Sequence, residues 1–170
     1  MQVLIEEMQG YFREEKFESL FFMGFGILAI ALGIYWFFGG DKVLKGAAYP
    51  LVAVGLIQLV VGSAVYFRTD NQMATLLQQL QNQPTQYYQE ELARMIVVNK
   101  NFDIYKIIEI ALSVVGVLLV IVFRQDKNVW LGVGLGLALQ SLLMLGLDFF
   151  AEKRADAYTA QIQATFGKQQ

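Results

Sequence analysis

Cysteine and histidine are both absent from the 170-residue chain. Without cysteine there is no disulfide, no thiolate nucleophile, no haem attachment and no Fe–S cluster. Without either residue, ordinary zinc sites are lost as well, together with the side chain that most often serves as a general base near neutral pH. Gly-rich phosphate loops and the HExxH and DxDxDG patterns are missing too. Charge is scarce, at 16% of residues, where a soluble domain carries about 25%. The formal net charge of −2 offers no basic surface for phosphate, which argues against nucleic acid as a partner. Together these absences predict a non-enzymatic protein with no catalytic residue, cofactor or metal. The opening residues also lack the basic start of a cleavable signal peptide and instead carry Glu6, Glu7, Glu14, Glu15 and Glu18.

What the chain has is apolar length. Hydrophobic residues make up 56% of it and fall in four blocks, Ser19–Phe38, Gly46–Phe67, Ile104–Phe123 and Val129–Phe150. Each is about 20 residues, enough to cross roughly 30 Å of hydrocarbon. The first two blocks hold no formal charge. The third holds Lys106 and Glu109 near its start, and the fourth holds Asp148 near its end. The pattern predicts four transmembrane helices in one membrane domain over residues 1–170, with the lipid bilayer as the first partner.

The polar segments between and beyond these spans keep a helical period. Leu4, Ile5, Met8, Tyr11 and Phe12 recur at three- and four-residue spacing. So do Met73, Leu76, Leu77 and Leu80, then Tyr88, Leu92, Met95 and Ile96, then Ala151, Ala155, Tyr158, Ile162 and Phe166. Each set is an apolar stripe on an otherwise polar helix. Extensions over about 3–18, 68–82, 85–103 and 151–166 therefore continue the spans into water. Joined to them, the extensions give helices over about 3–38, 47–82, 85–123 and 129–166. The short loops Gly39–Lys45 and Arg124–Asn128, with a break at Asn82–Thr85 around Pro84, predict an all-α up-down-up-down bundle. The alternative is that the helices break at the membrane surface and the stripes lie flat on it. The acidic N-terminal stripe suits anionic lipid poorly.

The two halves of the chain read alike. Each has a stripe, a span, a loop with Asp-Lys (Asp41-Lys42, Asp126-Lys127), a span with one central glutamine (Gln58, Gln140) and a second stripe. Orientation follows from basic residues near span ends. Lys42, Lys45, Arg124 and Lys127 lie on the hairpin side. Arg13, Lys16, Arg68, Arg94, Lys100, Lys106, Lys153, Arg154 and Lys168 lie opposite. The balance predicts both termini in the cytoplasm, and the small size and short hairpins suit a bacterial inner membrane.

Counted along the helices, Gln58 and Gln140 share a depth near the midplane, Glu109 lies somewhat nearer the terminal side, and Lys106, Asp148, Glu18 and Arg68 gather at that interface. This polar cluster of Gln58, Glu109, Gln140, Asp148, Arg68 and Lys106 has two readings. One is an ion or proton path titrating at Glu109 and Asp148. The other is interhelical glue, with Gln58 bonded to Gln140 and the acids neutralised by Arg68 or Lys106. Gly132 and Gly136 form a GxxxG that serves packing within the chain or a dimer. Tyr35, Trp36, Tyr49 and Trp130 mark one interface, and Tyr66, Tyr105, Phe149 and Phe150 the other. Tyr87 and Tyr88 beside Pro84 are either an exposed docking tip for a partner or a cap on their own bundle.

In architecture alone the chain resembles small four-span immunity proteins that protect bacteria from pore-forming toxins. Two functional expectations follow. The first is protein–protein recognition in the membrane, as an immunity-type protein or an accessory subunit of a membrane complex, with a protein partner or a homo-oligomer. The second is a small oligomeric transporter or channel subunit that uses Glu109 and Asp148.

Overall fold

The computed structural model describes residues 1–167, so Lys168 lies outside the described residues. Four helices account for nearly all of them: α1 (Gln2–Gly39), α2 (Lys42–Asn82), α3 (Pro84–Phe123) and α4 (Val129–Phe166). They run unbroken for 38, 41, 40 and 38 residues. Each joins an apolar run to its striped extension, and no break falls where apolar gives way to polar. All four are long and apolar enough to cross a membrane.

The turns are tighter than their sequences suggest. α2 begins at Lys42 and not at residue 47, because the Asp41 side chain caps it by accepting from the Leu44 N–H at 2.9 Å. Gln83 alone separates α2 from α3, with Pro84 in the first helical position, where its missing N–H costs nothing. Asn128 caps α4 through the N–H groups of Trp130 and Leu131. Lys127, just before it, takes the left-handed backbone at φ 42° that closes this turn.

The molecule has two halves built on opposite rules. The hairpin half, about 19–67 and 104–150, buries small and amide side chains and turns large ones outward. Gly26, Ala29, Gly33, Ala47, Ala48, Gly55, Gly62, Gly116, Gly132, Gly134 and Gly136 are buried there, while Ile27, Val60, Phe67, Ile107, Val122 and Leu139 are exposed. Helices meet through glycine. A Cβ on Gly26 would sit 2.7 Å from the Gly55 carbonyl oxygen, and one on Gly116 would sit 2.8 Å from that of Gly134. Between α2 and α4 the contact is reciprocal: Gly46 lies against the Val129 carbonyl and Gly132 against the Val43 carbonyl. That symmetry matches the likeness of the two halves in sequence. Gly132 and Gly136 both face α2, while Gly134 between them faces α3, so the GxxxG is spent on packing within the chain.

The polar half, next to the termini and the α2–α3 turn, follows the rule of a water-soluble bundle. Its core joins Leu4, Met8, Phe12, Leu76, Leu80, Met95, Ile162 and Phe166 from all four helices. Three stripes face inward as their spacing predicts. The α3 stripe is rotated from the one expected. Tyr87, Glu91 and Met95 point to the axis, Tyr88 and Leu92 flank it, and Ile96 is exposed. The inward position of the charged Glu91 accounts for the difference, since apolar spacing alone passes over it.

Candidate functional site

Three polar layers cross the bundle. The deepest lies in the hairpin half. Gln58 of α2 and Gln140 of α4 are buried, and Gln58 Nε2 donates to Gln140 Oε1 at 3.4 Å. Glycine brings these helices close, and each glutamine then finds the other as its amide partner among apolar neighbours.

The second layer spans α3 and α4. Glu109 is 4% exposed, and neither of its carboxyl oxygens has a hydrogen-bond partner. The half-buried Asp148 carboxyl stands within reach of it. Side chains on a helix lean toward its N-terminus. α3 starts at the polar end and α4 at the hairpin end, so Glu109 leans outward and Asp148 inward, and the two converge. The basic residues expected to neutralise them are bound elsewhere. Lys106 Nζ reaches Glu152 at 2.6 Å and Asp103 at 3.8 Å. Arg68 pairs with Glu15 at 3.2 Å. Spacing alone allowed Lys106 to meet Glu109, but its long stem carries the ammonium toward the polar end, where Glu152 lies. The neutralised cluster is thus replaced by an acid pair, with its candidate bases displaced one layer outward.

At the boundary between the halves, Arg154 of α4 grips Glu18 of α1 with two bonds of 2.6 and 2.5 Å. Burial opposes the Arg154 charge, but the Glu18 bonds and charge outweigh it and hold the guanidinium pKa above its ordinary value. Beside this pair an open cleft of about 430 Å³ runs between α1 and α4, lined by Glu7, Tyr11, Glu14, Glu18, Lys153 and Arg154 among others.

The third layer is a buried network in the polar half. Glu91 is 1% exposed and accepts bonds from Arg94 Nε and Nη2, each 2.7 Å. The Tyr158 hydroxyl donates to Glu91 at 3.1 Å and shares a 2.7 Å bond with the Tyr87 hydroxyl. Tyr11 stacks on Tyr158 with ring centroids 4.9 Å apart. Burial, then the Glu91 charge, pushes the Tyr158 phenol far above its ordinary range. Burial raises Tyr87 to about 12. Burial and the Glu15 charge raise Tyr11 to about 12. For Arg94, burial opposes the charge, but the Glu91 bonds overcome it and lift the pKa above the usual guanidinium value.

Tyr87 therefore belongs to the core and not to a docking tip. It is 0% exposed, and Tyr88 stacks on Phe166 with centroids 5.0 Å apart. An aromatic ring with a hydroxyl can be buried when the hydroxyl finds a partner, and Tyr158 supplies it. Glu91, Arg94 and the Tyr158 hydroxyl were not foreseen. The spacing of Glu91 and Arg94, one turn apart on the α3 stripe, was the available signal.

No protein-family model matches this chain, and no curated protein or solved structure matches it either.

Proposed function

We propose that the chain is an integral membrane protein whose hairpin half crosses the bilayer in four spans, up-down-up-down, with the polar half standing in the cytoplasm of a bacterium. One observation carries this: the hairpin half is built inside out, with large apolar side chains facing outward over small and amide ones. In water such a surface would be a severe liability, whereas in lipid it is the ordinary arrangement. Tyr35, Tyr49 and Trp130 at one level, and Tyr105, Phe149 and Phe150 at the other, are exposed, as interfacial aromatic belts are.

Within that frame the protein works without catalysis, through protein–protein recognition, as an accessory subunit of a membrane complex or an immunity-type protein. The polar half supports this. Its core is filled by its own side chains from all four helices, which makes it a rigid platform whose polar outer faces are left for a partner. Photocrosslinkers placed around those faces test the reading. Adducts confined to one face and to one protein support it, and a chain that stays unlinked at every position refutes it.

A second reading, a small oligomeric transporter or channel subunit, is favoured by one feature, the orphaned carboxyl of Glu109 beside Asp148. Ion or proton flux in liposomes that falls in Glu109→Gln supports it. Flux that is absent, or indifferent to the substitution, removes it.

A further inference from the structure

We propose that Glu109 and Asp148 hold one exchangeable proton between them and trade it with water only at the polar end of the molecule. The inference rests on the membrane placement proposed above, not on either reading of activity.

Two separate observations point to a ligand here. Glu109 is nine-tenths buried with both oxygens unpartnered, a costly state for a charged carboxylate. Its neighbour is a second carboxyl, Asp148, and two adjacent carboxylates repel each other. A proton answers both problems. It turns one acid into a hydroxyl donor and the other into its acceptor. A metal ion fits poorly, because no group of three or more acidic side chains able to hold one occurs among the described residues, and hard cations take six or more oxygens.

The surroundings leave the pair without a resident base. From α1 comes Glu18, already held by Arg154. From α4 comes Glu152, held by Lys106 of α3. α2 brings no charge between Lys45 and Arg68, and Arg68 is turned to Glu15.

The same geometry sets the route. Toward the hairpin end, α3 and α4 close on each other where Gly116 faces Gly134 and the Ala138 backbone, and a methyl on Gly116 or Gly134 would fall within 2.7 Å of the opposing helix. Toward the polar end, Asp148 is half-exposed, and Glu18 beside it lines the cleft between α1 and α4. Release breaks the shared carboxyl O–H bond, passes the proton through Asp148 to water in that cleft and leaves two carboxylates. Uptake is the reverse.

Infrared difference spectra of the full chain in lipid nanodiscs, taken between acid and alkaline buffer, test this. The expected result is a protonated-carboxyl carbonyl band that is lost in Glu109→Gln and shifted in Asp148→Asn. In D2O the band's isotope shift should lag in Asp148→Asn behind the unsubstituted protein, because the outer acid is the gate. Helix content and detergent resistance serve as fold controls, and Gln and Asn keep the shape of the acids they replace. A band unchanged in both variants overturns the proposal. So does a band that responds to sodium at fixed pH, which would make the ligand a cation. A band that behaves as expected without flux in liposomes keeps this site and removes transport. Flux without the band does the opposite.

Discussion

Glu91 and Arg94 form a two-point ion pair at the centre of the polar half, with the carboxylate 1% exposed and both bonds at 2.7 Å. Pairs of this kind stabilise weakly against an apolar alternative, yet removing one partner is costly. Glu91→Leu leaves Arg94 partly buried without its counter-charge and Tyr158 without its acceptor. It should lose about 3 kcal/mol of stability. The double variant Glu91→Leu/Arg94→Leu should lose less than either single one. Thermal unfolding in detergent, read as a double-mutant cycle, gives the comparison. A double variant whose loss equals the sum of the two single losses would deny the coupling.

The buried phenols make the polar half sensitive to alkali. Tyr11 and Tyr87 are raised from 10.0 to about 12, so the folded state holds these protons more tightly than the unfolded chain does. Their contribution is complete below pH 10.0 and is lost as pH rises through about 12. Tyrosinate absorbance should therefore lag behind that of free tyrosine and then rise together with the loss of helix packing. Tyrosines that all ionise near 10 with the fold intact would contradict this.

Glycine sets the spacing of the hairpin half. A methyl on Gly132 would lie 1.8 Å from the Val43 carbonyl oxygen, whereas Gly24 and Gly146 have nothing within 4 Å of that position. Gly132→Ala should cost about 1–3 kcal/mol. Gly24→Ala and Gly146→Ala should stay within about 0.5 kcal/mol. SDS-induced unfolding of the detergent-solubilised protein ranks them, and a neutral Gly132→Ala would refute the close α2–α4 contact.

Gln58 and Gln140 are joined by one long bond of 3.4 Å. A cycle of Gln58→Leu and Gln140→Leu should show a coupling of about 0.6 kcal/mol, the scale of such bonds in membrane bundles. No coupling would mean that the two amides act independently.

Much of this fold was legible in the sequence because it depends on length and period. Four apolar runs and four stripes announce four long helices, and matched depths set Gln58 beside Gln140. What escaped depended on direction. On α3 the spacing of Tyr88, Leu92, Met95 and Ile96 marked one face, whereas the buried face runs through Tyr87, Glu91 and Met95, because Arg94 and Tyr158 satisfy the Glu91 carboxylate inside the bundle. Lys106 could reach Glu109 or Glu152, and only the lean of its stem decides for Glu152. Periodicity marks which residues share a face. It does not show which buried polar groups will satisfy one another across a bundle.

In the proposed placement the inside-out half lies in lipid and the networked half in water on one side. The chain has no cysteine, so single-cysteine variants can be read without background. Membrane-impermeant maleimide applied to either face of oriented vesicles is the most direct measurement. Asp41→Cys and Asp126→Cys should label from one face and Gln83→Cys and Thr85→Cys from the other. Val60→Cys and Ile108→Cys, exposed in the bundle, should label from neither. Labelling of Val60→Cys and Ile108→Cys in intact vesicles, or of all four turn positions from the same face, would contradict that placement.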